Sequence, residues 1–240
     1  MASKAKAQTK AAERQERLEQ LKRQQAAQER KRNLMVGGVV VLVVAVLAAT
    51  IFLLTRGGGD DAAASAAGQS EYGVTIGPAD APTQVVIYED FLCPACGAFE
   101  AATRDQLAQA AEEGKVRVDY RPFELLGQYG DYSARSAAAF GVVLQESGPE
   151  VAKKFHDLLY ENQPEEGASS YPDADALIDL AVEAGADEAA VRPGIEAGEN
   201  DFSDGATKEA EDAGVQGTPT IFVDGERTQL SPEQLLAEIG

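Results

Sequence analysis

The chain has two cysteines in 240 residues, and both stand in one motif, Cys93-Pro94-Ala95-Cys96. With two residues between them, one thiol can reach the other. A mixed disulfide formed with an outside thiol can then resolve within the motif. The pair follows a mostly apolar run, Gln84–Glu89 (QVVIYE), and opens a helical stretch from about Cys93 to Glu113. A helix start offers unpaired N–H groups and the positive end of the peptide dipole, and both favour a thiolate. Pro94 suits that first turn, where an N–H would lack a partner anyway. Cys93, at the helix end, is therefore expected to be the nucleophile. Cys96, one turn inside, is expected to be the resolving thiol. Pro94 and Ala95 contribute no charge, and Ala95 cannot stabilise a thiolate as a histidine there would.

Other chemistries fit the composition less well. A disulfide closing so small a loop would constrain the unfolded chain little. Two cysteines and a single histidine, His156, fall short of four metal ligands, so no metal site is expected. His156 follows Phe155 on a helical stripe and is expected at a surface edge, where its replacement would leave redox chemistry intact. The formal charge of −19 argues against nucleic-acid binding, which needs a basic face. The many acidic residues, such as Glu112-Glu113 and Glu165-Glu166, read as a solvated, self-repelling surface. Tyr120, Phe123 and Tyr129 are candidates for lining a groove near the thiols, with Phe123 better suited to the core.

A second segment bears on the site: Gly214-Val215-Gln216-Gly217-Thr218-Pro219-Thr220. A proline is tolerated at the first residue of a strand, and the Thr218-Pro219 bond could there be cis or trans.

The elements that must position these groups are legible in outline. Gln84–Glu89 is a buried strand, and Lys115–Tyr120 (KVRVDY) alternates as a half-buried one. With the helix between them they form a βαβ unit. From about 131 to 213 the periodicity turns helical: Phe140, Val143 and Leu144; Phe155, Leu158 and Leu159; Leu177, Leu180 and Ala181; Phe202, Ala206 and Ala210. Pro193-Gly194 is expected to break that pattern. Thr220–Val223, Asp224-Gly225 and Glu226–Leu230 read as a hairpin. Ser231-Pro232-Glu233-Gln234 opens a last helix with a capping box.

The chain divides sharply by charge. Residues 1–33 hold ten Lys/Arg against four Asp/Glu, net +6, whereas residues 57–240 hold ten against 36, net −26. Between them, residues 34–54 form an uncharged run of 21 (LMVGGVVVLVVAVLAATIFLL). As a helix this would be about 31 Å long, close to a bilayer's hydrocarbon thickness. Its length and the long segment before it favour an uncleaved anchor over a signal peptide. The basic flank predicts a cytoplasmic N-terminus and an extracytoplasmic acidic domain. The expected order is a basic tail (1–33), a single transmembrane helix (34–54), a flexible linker (55–71) and an α/β domain (72–240).

The segments YEDFLCPAC after a strand and TPTIFVDG after a helix, with GPADAP upstream, resemble the thioredoxin superfamily. More closely they resemble the membrane-anchored, DsbA-like thiol–disulfide oxidoreductases of bacteria, over about Tyr72 to Gly240. The resemblance implies a thioredoxin fold with an inserted helical domain (about 131–213). It implies a cis-Pro loop, Thr218-Pro219, facing Cys93 and Cys96, with the Thr218 backbone pairing with a substrate peptide. It implies no cofactor beyond a redox-active Cys93–Cys96 disulfide. The expected activity is disulfide formation in exported, cysteine-containing proteins, with re-oxidation by a DsbB-like or VKOR-like membrane partner; a monomer is expected. Two departures stand out. The strongest oxidases of this kind carry a histidine where Ala95 stands, and many relatives bury an acid where Ile87 stands. Glu89, two residues on along the same strand face, either takes over that proton-shuttling role or sits exposed at the rim. The alternatives are a membrane-tethered reductase or isomerase of the same fold, and a copper carrier using both cysteines and His156.

Overall fold

The computed structural model describes residues 67–198 and 200–240. The expected basic tail (1–33), the transmembrane segment (34–54) and most of the linker lie outside the described residues. Among the described residues no helix is long and apolar enough to cross a membrane.

The strand expected around Gln84–Glu89 forms as β3 (Thr83–Glu89), after two short strands that the sequence reading did not place, β1 (Gly68–Ser70) and β2 (Gly73–Ile76). Gly68–Ser70 falls within the expected linker (55–71), where small polar residues mask an edge strand that pairs antiparallel with β2. Helix α1 (Pro94–Glu112) follows β3, and β4 (Val116–Pro122) lies parallel to β3, completing the expected βαβ unit. A short 3-10 turn, Gly127–Tyr129, leads into five helices: α2 (Tyr132–Ser147), α3 (Pro149–Glu161), α4 (Ala174–Ala184), α5 (Glu188–Ala197) and α6 (Asp201–Asp212). The chain returns to the sheet as β5 (Thr220–Val223) and β6 (Glu226–Thr228), then closes with α7 (Pro232–Ile239). The strand order is β1-β2-β4-β3-β5-β6. β3 is thus flanked on both sides, and the site at its carboxyl end rests on a fixed platform.

Local chemistry sets the helix boundaries. Pro94, Pro149 and Pro232 occupy first-turn positions of α1, α3 and α7, where a missing N–H costs nothing. Asn200 and Ser203 form a capping box on α6, and Ser231 and Gln234 form the expected one on α7. One expectation fails at Pro193-Gly194, because α5 runs through both residues. The proline removes one ladder bond. Gly194 lies against α2, and a Cβ there would come within 2.8 Å of Val142 Cγ2. This glycine serves close helix packing, a use that a breaker rule misreads.

The core joins sheet to helices. Val85, Ile87 and Glu89 share one face of β3 by the strand's period of two. Fully buried Phe91, Phe140, Phe155 and Leu159 pack in the same cluster. Truncating one such phenylalanine to alanine costs about 3–5 kcal/mol. Tyr120 and Phe123 belong to this core, whereas Tyr129 is 43% exposed.

Candidate active site

Cys93 is the N-cap of α1, with extended backbone (φ −73°, ψ 117°), so its side chain stands at the positive end of the helix. The turn is held from several sides. The N–H groups of Cys96 and Gly97 both donate to the Cys93 carbonyl at 3.1 Å. The Gln163 carboxamide donates to the carbonyls of Phe91 (3.0 Å) and Cys93 (2.9 Å). Gly97 leaves room for it, since a Cβ there would collide with the Gln163 side chain. Below the turn, the buried Asp90 carboxylate accepts from the backbone N–H of Leu92 (2.8 Å), Leu125 (2.8 Å) and Leu126 (2.9 Å), and from the Ser133 hydroxyl. Neither Asp90 nor Gln163 stood out in the sequence. The first is an Asx-type anchor whose partners other than Leu92 lie 35 to 43 residues away, and the second comes from beyond α3.

The two thiols occupy different environments. Both are reduced, with Cys93 7% exposed and Cys96 fully buried. A hydrogen bond from Cys96 lowers the Cys93 pKa most; burial opposes it, and Thr218 and the backbone N–H groups of Cys96 and Ala95 add to the lowering, leaving it at about 6. Cys96 is pushed well above the ordinary thiol value, first by burial, then by its bond to Cys93 and by the charges of Cys93 and Glu89. Pro94 and Ala95 between them are exposed.

The loop at Thr218-Pro219 meets the dithiol. The peptide bond is cis. The Cys93 thiol donates to the Thr218 carbonyl at 3.4 Å. The Thr218 hydroxyl is buried without a hydrogen-bond partner. Beside this contact runs a cleft of about 400 Å³ lined by Ala95, Ala98 and Phe99 of α1, Pro219 and Ile221 at β5, and Leu230 before α7. Thr220, Arg227, Thr228, Gln229 and Pro232 complete the lining; none of Tyr120, Phe123 and Tyr129 is part of it.

Glu89 is fully buried, so the rim-exposed alternative is excluded. His156, expected at the surface, is also fully buried and bonds Glu89 Oε1 through Nε2. A helical stripe gives a residue's direction but not what covers it, and here α3 faces the sheet with charge meeting charge. The other ring nitrogen, Nδ1, engages Asp157 Oδ1 at 3.0 Å. Both nitrogens are thus taken, which leaves none for a copper ion shared with the cysteines. Glu100 joins the pair: one ligand-type atom each from Glu89, Glu100 and His156 lie within 4.8 Å of one another.

A thioredoxin-type sheet with its dithiol at a helix start, facing a cis-Pro loop, defines the class of thiol–disulfide oxidoreductases. The family model described as Thioredoxin matches residues 69–239. Oxidised DsbA of Mycobacterium tuberculosis superimposes with a TM-score of 0.61 at 33% identity, covering 70% of this chain and 90% of that one. The probable disulfide bond formation protein D of Bacillus cereus is 26% identical over 160 residues, which is 63% of this chain and 69% of that protein. The serine/threonine-protein kinase PknE of M. tuberculosis is 29% identical over 124 residues, 50% of this chain; the match spans only 22% of the kinase. The chain belongs to the thioredoxin family and is DsbA-like within it.

Proposed function

We propose that this protein forms disulfides in exported proteins through Cys93 and Cys96. The observation that carries the reading is the split between the thiols: one lowered to about 6 at a helix start, the other buried and raised. A substrate thiolate attacks Cys93 Sγ of the disulfide, and the bond to Cys96 breaks. A second substrate thiol then displaces Cys93, leaving both cysteines reduced and the substrate oxidised. A stabilised Cys93 thiolate favours the reduced enzyme, which makes its disulfide a ready oxidant.

The groove beside Pro219 suits an extended substrate segment, with the Thr218 backbone pairing in strand fashion. Pro94 and Ala95 leave the thiol approachable, and Glu89 supports the site from beneath Cys96. The reaction needs no cofactor. Residues 34–54 tether the domain outside the cytoplasmic membrane as a monomer, and a DsbB-like or VKOR-like quinone-linked membrane protein returns the pair to the disulfide. The names of the relatives support this assignment.

The experiment is the equilibrium of the Cys93–Cys96 couple against glutathione. An oxidase is expected well above thioredoxin's value of about −270 mV, toward the DsbA value of about −120 mV. A potential at or below that of thioredoxin would reverse the direction to a tethered reductase.

A further inference from the structure

Behind the dithiol lies a buried polar cluster that exchange at Cys93 does not by itself explain. Glu89 of β3, Glu100 of α1 and His156 of α3 are all fully buried. Around them, Glu89 Oε2, both Glu100 oxygens and the hydroxyls of Tyr120 and Tyr160 have no hydrogen-bond partner. The rings of Tyr120 and Tyr160 lie 4.8 and 5.2 Å from the imidazole. Burying polar groups without partners is costly.

The connectivity of the cluster is directional. Glu100 follows Cys96 by four residues, one turn along the same helix face. His156 Nε2 bonds Glu89 inside, while Nδ1 bonds Asp157, whose side chain is 25% exposed. The imidazole thus joins carboxylates beneath the resolving thiol to a carboxylate that reaches water.

A divalent metal is the rival occupant of such a donor set. Both imidazole nitrogens are already closed on carboxylates. The rings of Phe91, Phe140, Tyr120 and Tyr160 surround the imidazole at 4.8 to 6.5 Å. An ion would need an opening through them; a proton needs only transfers between groups already side by side, hydrogen-bonded from Glu89 through His156 to Asp157 and within 4.8 Å from Glu89 to Glu100.

We propose that His156 is a positioning residue that conducts the Cys96 proton between the buried Glu100–Glu89 pair and solvent at Asp157. The proposal rests on the dithiol reading above. When a substrate thiolate attacks Cys93, the Cys93–Cys96 bond breaks and its electron pair stays on Cys96. Cys96 then takes one proton from Glu100. Glu100 regains it from water through Asp157, His156 and Glu89. When Cys96 later attacks a disulfide at Cys93, the same proton leaves by the same route.

The charges facing the imidazole suit this traffic. Lys153 Nζ lies 2.6 Å from Asp157 Oδ1 and 4.6 Å from the Tyr120 ring centroid. Arg104 Nε lies 3.4 Å from Asp157 and 3.9 Å from Glu100, too far from the latter for a hydrogen bond, and its Nη1 is held by Glu161. Burial first, then the Glu89 charge, raises Glu100 to about 7. Burial lowers His156, but the Glu89 charge and the bonds to Asp157 and Glu89 prevail and raise it to about 9. A relay group near working pH is the efficient arrangement.

The test uses the full-length chain in detergent, loaded as a mixed disulfide between Cys93 and glutathione. The first-order rate of its resolution by Cys96 is followed from about pH 5 to about pH 9, in H2O and D2O. The wild type is expected to show an inflection near 7 and a solvent isotope effect. His156→Gln is expected to slow resolution roughly 100-fold at neutral pH, the scale of positioned acid–base catalysis. Its inflection should move, while the Cys93 alkylation profile stays in place. Asp157→Asn, at the solvent end, should shift the profile in the same sense and decides the matter if His156→Gln fails to fold. Wild-type rates and pH profile in the folded variants would overturn the relay while leaving the dithiol reading intact. So would one equivalent of bound zinc or manganese that His156→Gln abolishes. Failure of Cys93 to form any glutathione adduct would overturn the dithiol reading and the relay with it.

Discussion

The thiol of Cys93 stands 3.4 Å from the carbonyl oxygen of Thr218, a residue 125 positions away in sequence. That contact ties the helix-start thiol to the loop that leads into β5. Pro219, next to Thr218, and Ala95, two residues past Cys93, both line the groove that also holds Ala98, Phe99 and Ile221. A peptide lying in that groove would present its own thiol to Cys93 rather than to the buried Cys96.

The thiolate of Cys93 should titrate early. Its alkylation rate is expected to rise with an inflection near 6, far below the ordinary thiol value of 9.0. Because the bond from Cys96 is the largest cause, Cys96→Ala should move the inflection upward. Ala95→His should move it down, by placing a cation beside the sulfur. Because the folded value is depressed, the thiolate's contribution to the stability of the reduced form is fully present above pH 9 and lost as pH falls through 6. The Tm of the reduced protein should therefore gain on that of the oxidised protein between those limits.

Asp90 should be a structural anchor of the redox turn. Asp90→Ala would leave three backbone N–H groups and the Ser133 hydroxyl without their acceptor. At about 1–3 kcal/mol for each unsatisfied buried group, partly relieved by water, a loss of roughly 3 kcal/mol or more is expected in urea unfolding. A loss below about 1 kcal/mol would contradict the assignment.

Gln163 and Gly97 should act as one unit. Gln163→Ala removes two hydrogen bonds to the Phe91 and Cys93 carbonyls, costing about 1–2 kcal/mol. Gly97→Ala would displace the same carboxamide. The double variant is expected to cost less than the sum of the two singles. Full additivity in a double-mutant cycle would show that the two act separately.

The buried acid and histidine should make the oxidised protein weaker in alkali. Glu100 is raised from 4.5 to about 7, so its contribution is complete below pH 4.5 and lost as pH rises through 7. His156 is raised from 6.5 to about 9, so its contribution is complete below 6.5 and lost through 9. Unfolding free energy should fall from pH 4.5 to about pH 9. Glu100→Gln, which cannot ionise, should flatten the lower part of that fall and raise Tm at pH 8. An unchanged pH profile would show that Glu100 is not the titrating group.

Much of this architecture was legible because it is written locally. The strand before Cys93, the proline after it, the TIFV strand and the Ser231 capping box each carry their signal within a few residues. β1 escaped because a three-residue edge strand of small polar residues looks like linker, and β2 escaped because it is only four residues long. Pro193 misled because α5 carries it at the loss of one ladder bond while Gly194 packs closely on Val142, a contact that lies outside the local sequence. His156 was misplaced for a deeper reason: its burial depends on Glu89, 67 positions away, and no pattern on α3 announces a carboxylate waiting on a strand. Asp90 and Gln163 are likewise defined by what they bond to across the fold.

The central claim is that Cys93 forms a covalent disulfide with exported proteins and Cys96 releases it. Expressing the full chain as Cys96→Ala in cells and separating proteins without reductant tests it directly. Mixed disulfides that collapse on reduction, and that vanish when Cys93 is also replaced, are the predicted result. A folded Cys96→Ala protein that captures no partner through Cys93 would contradict the account.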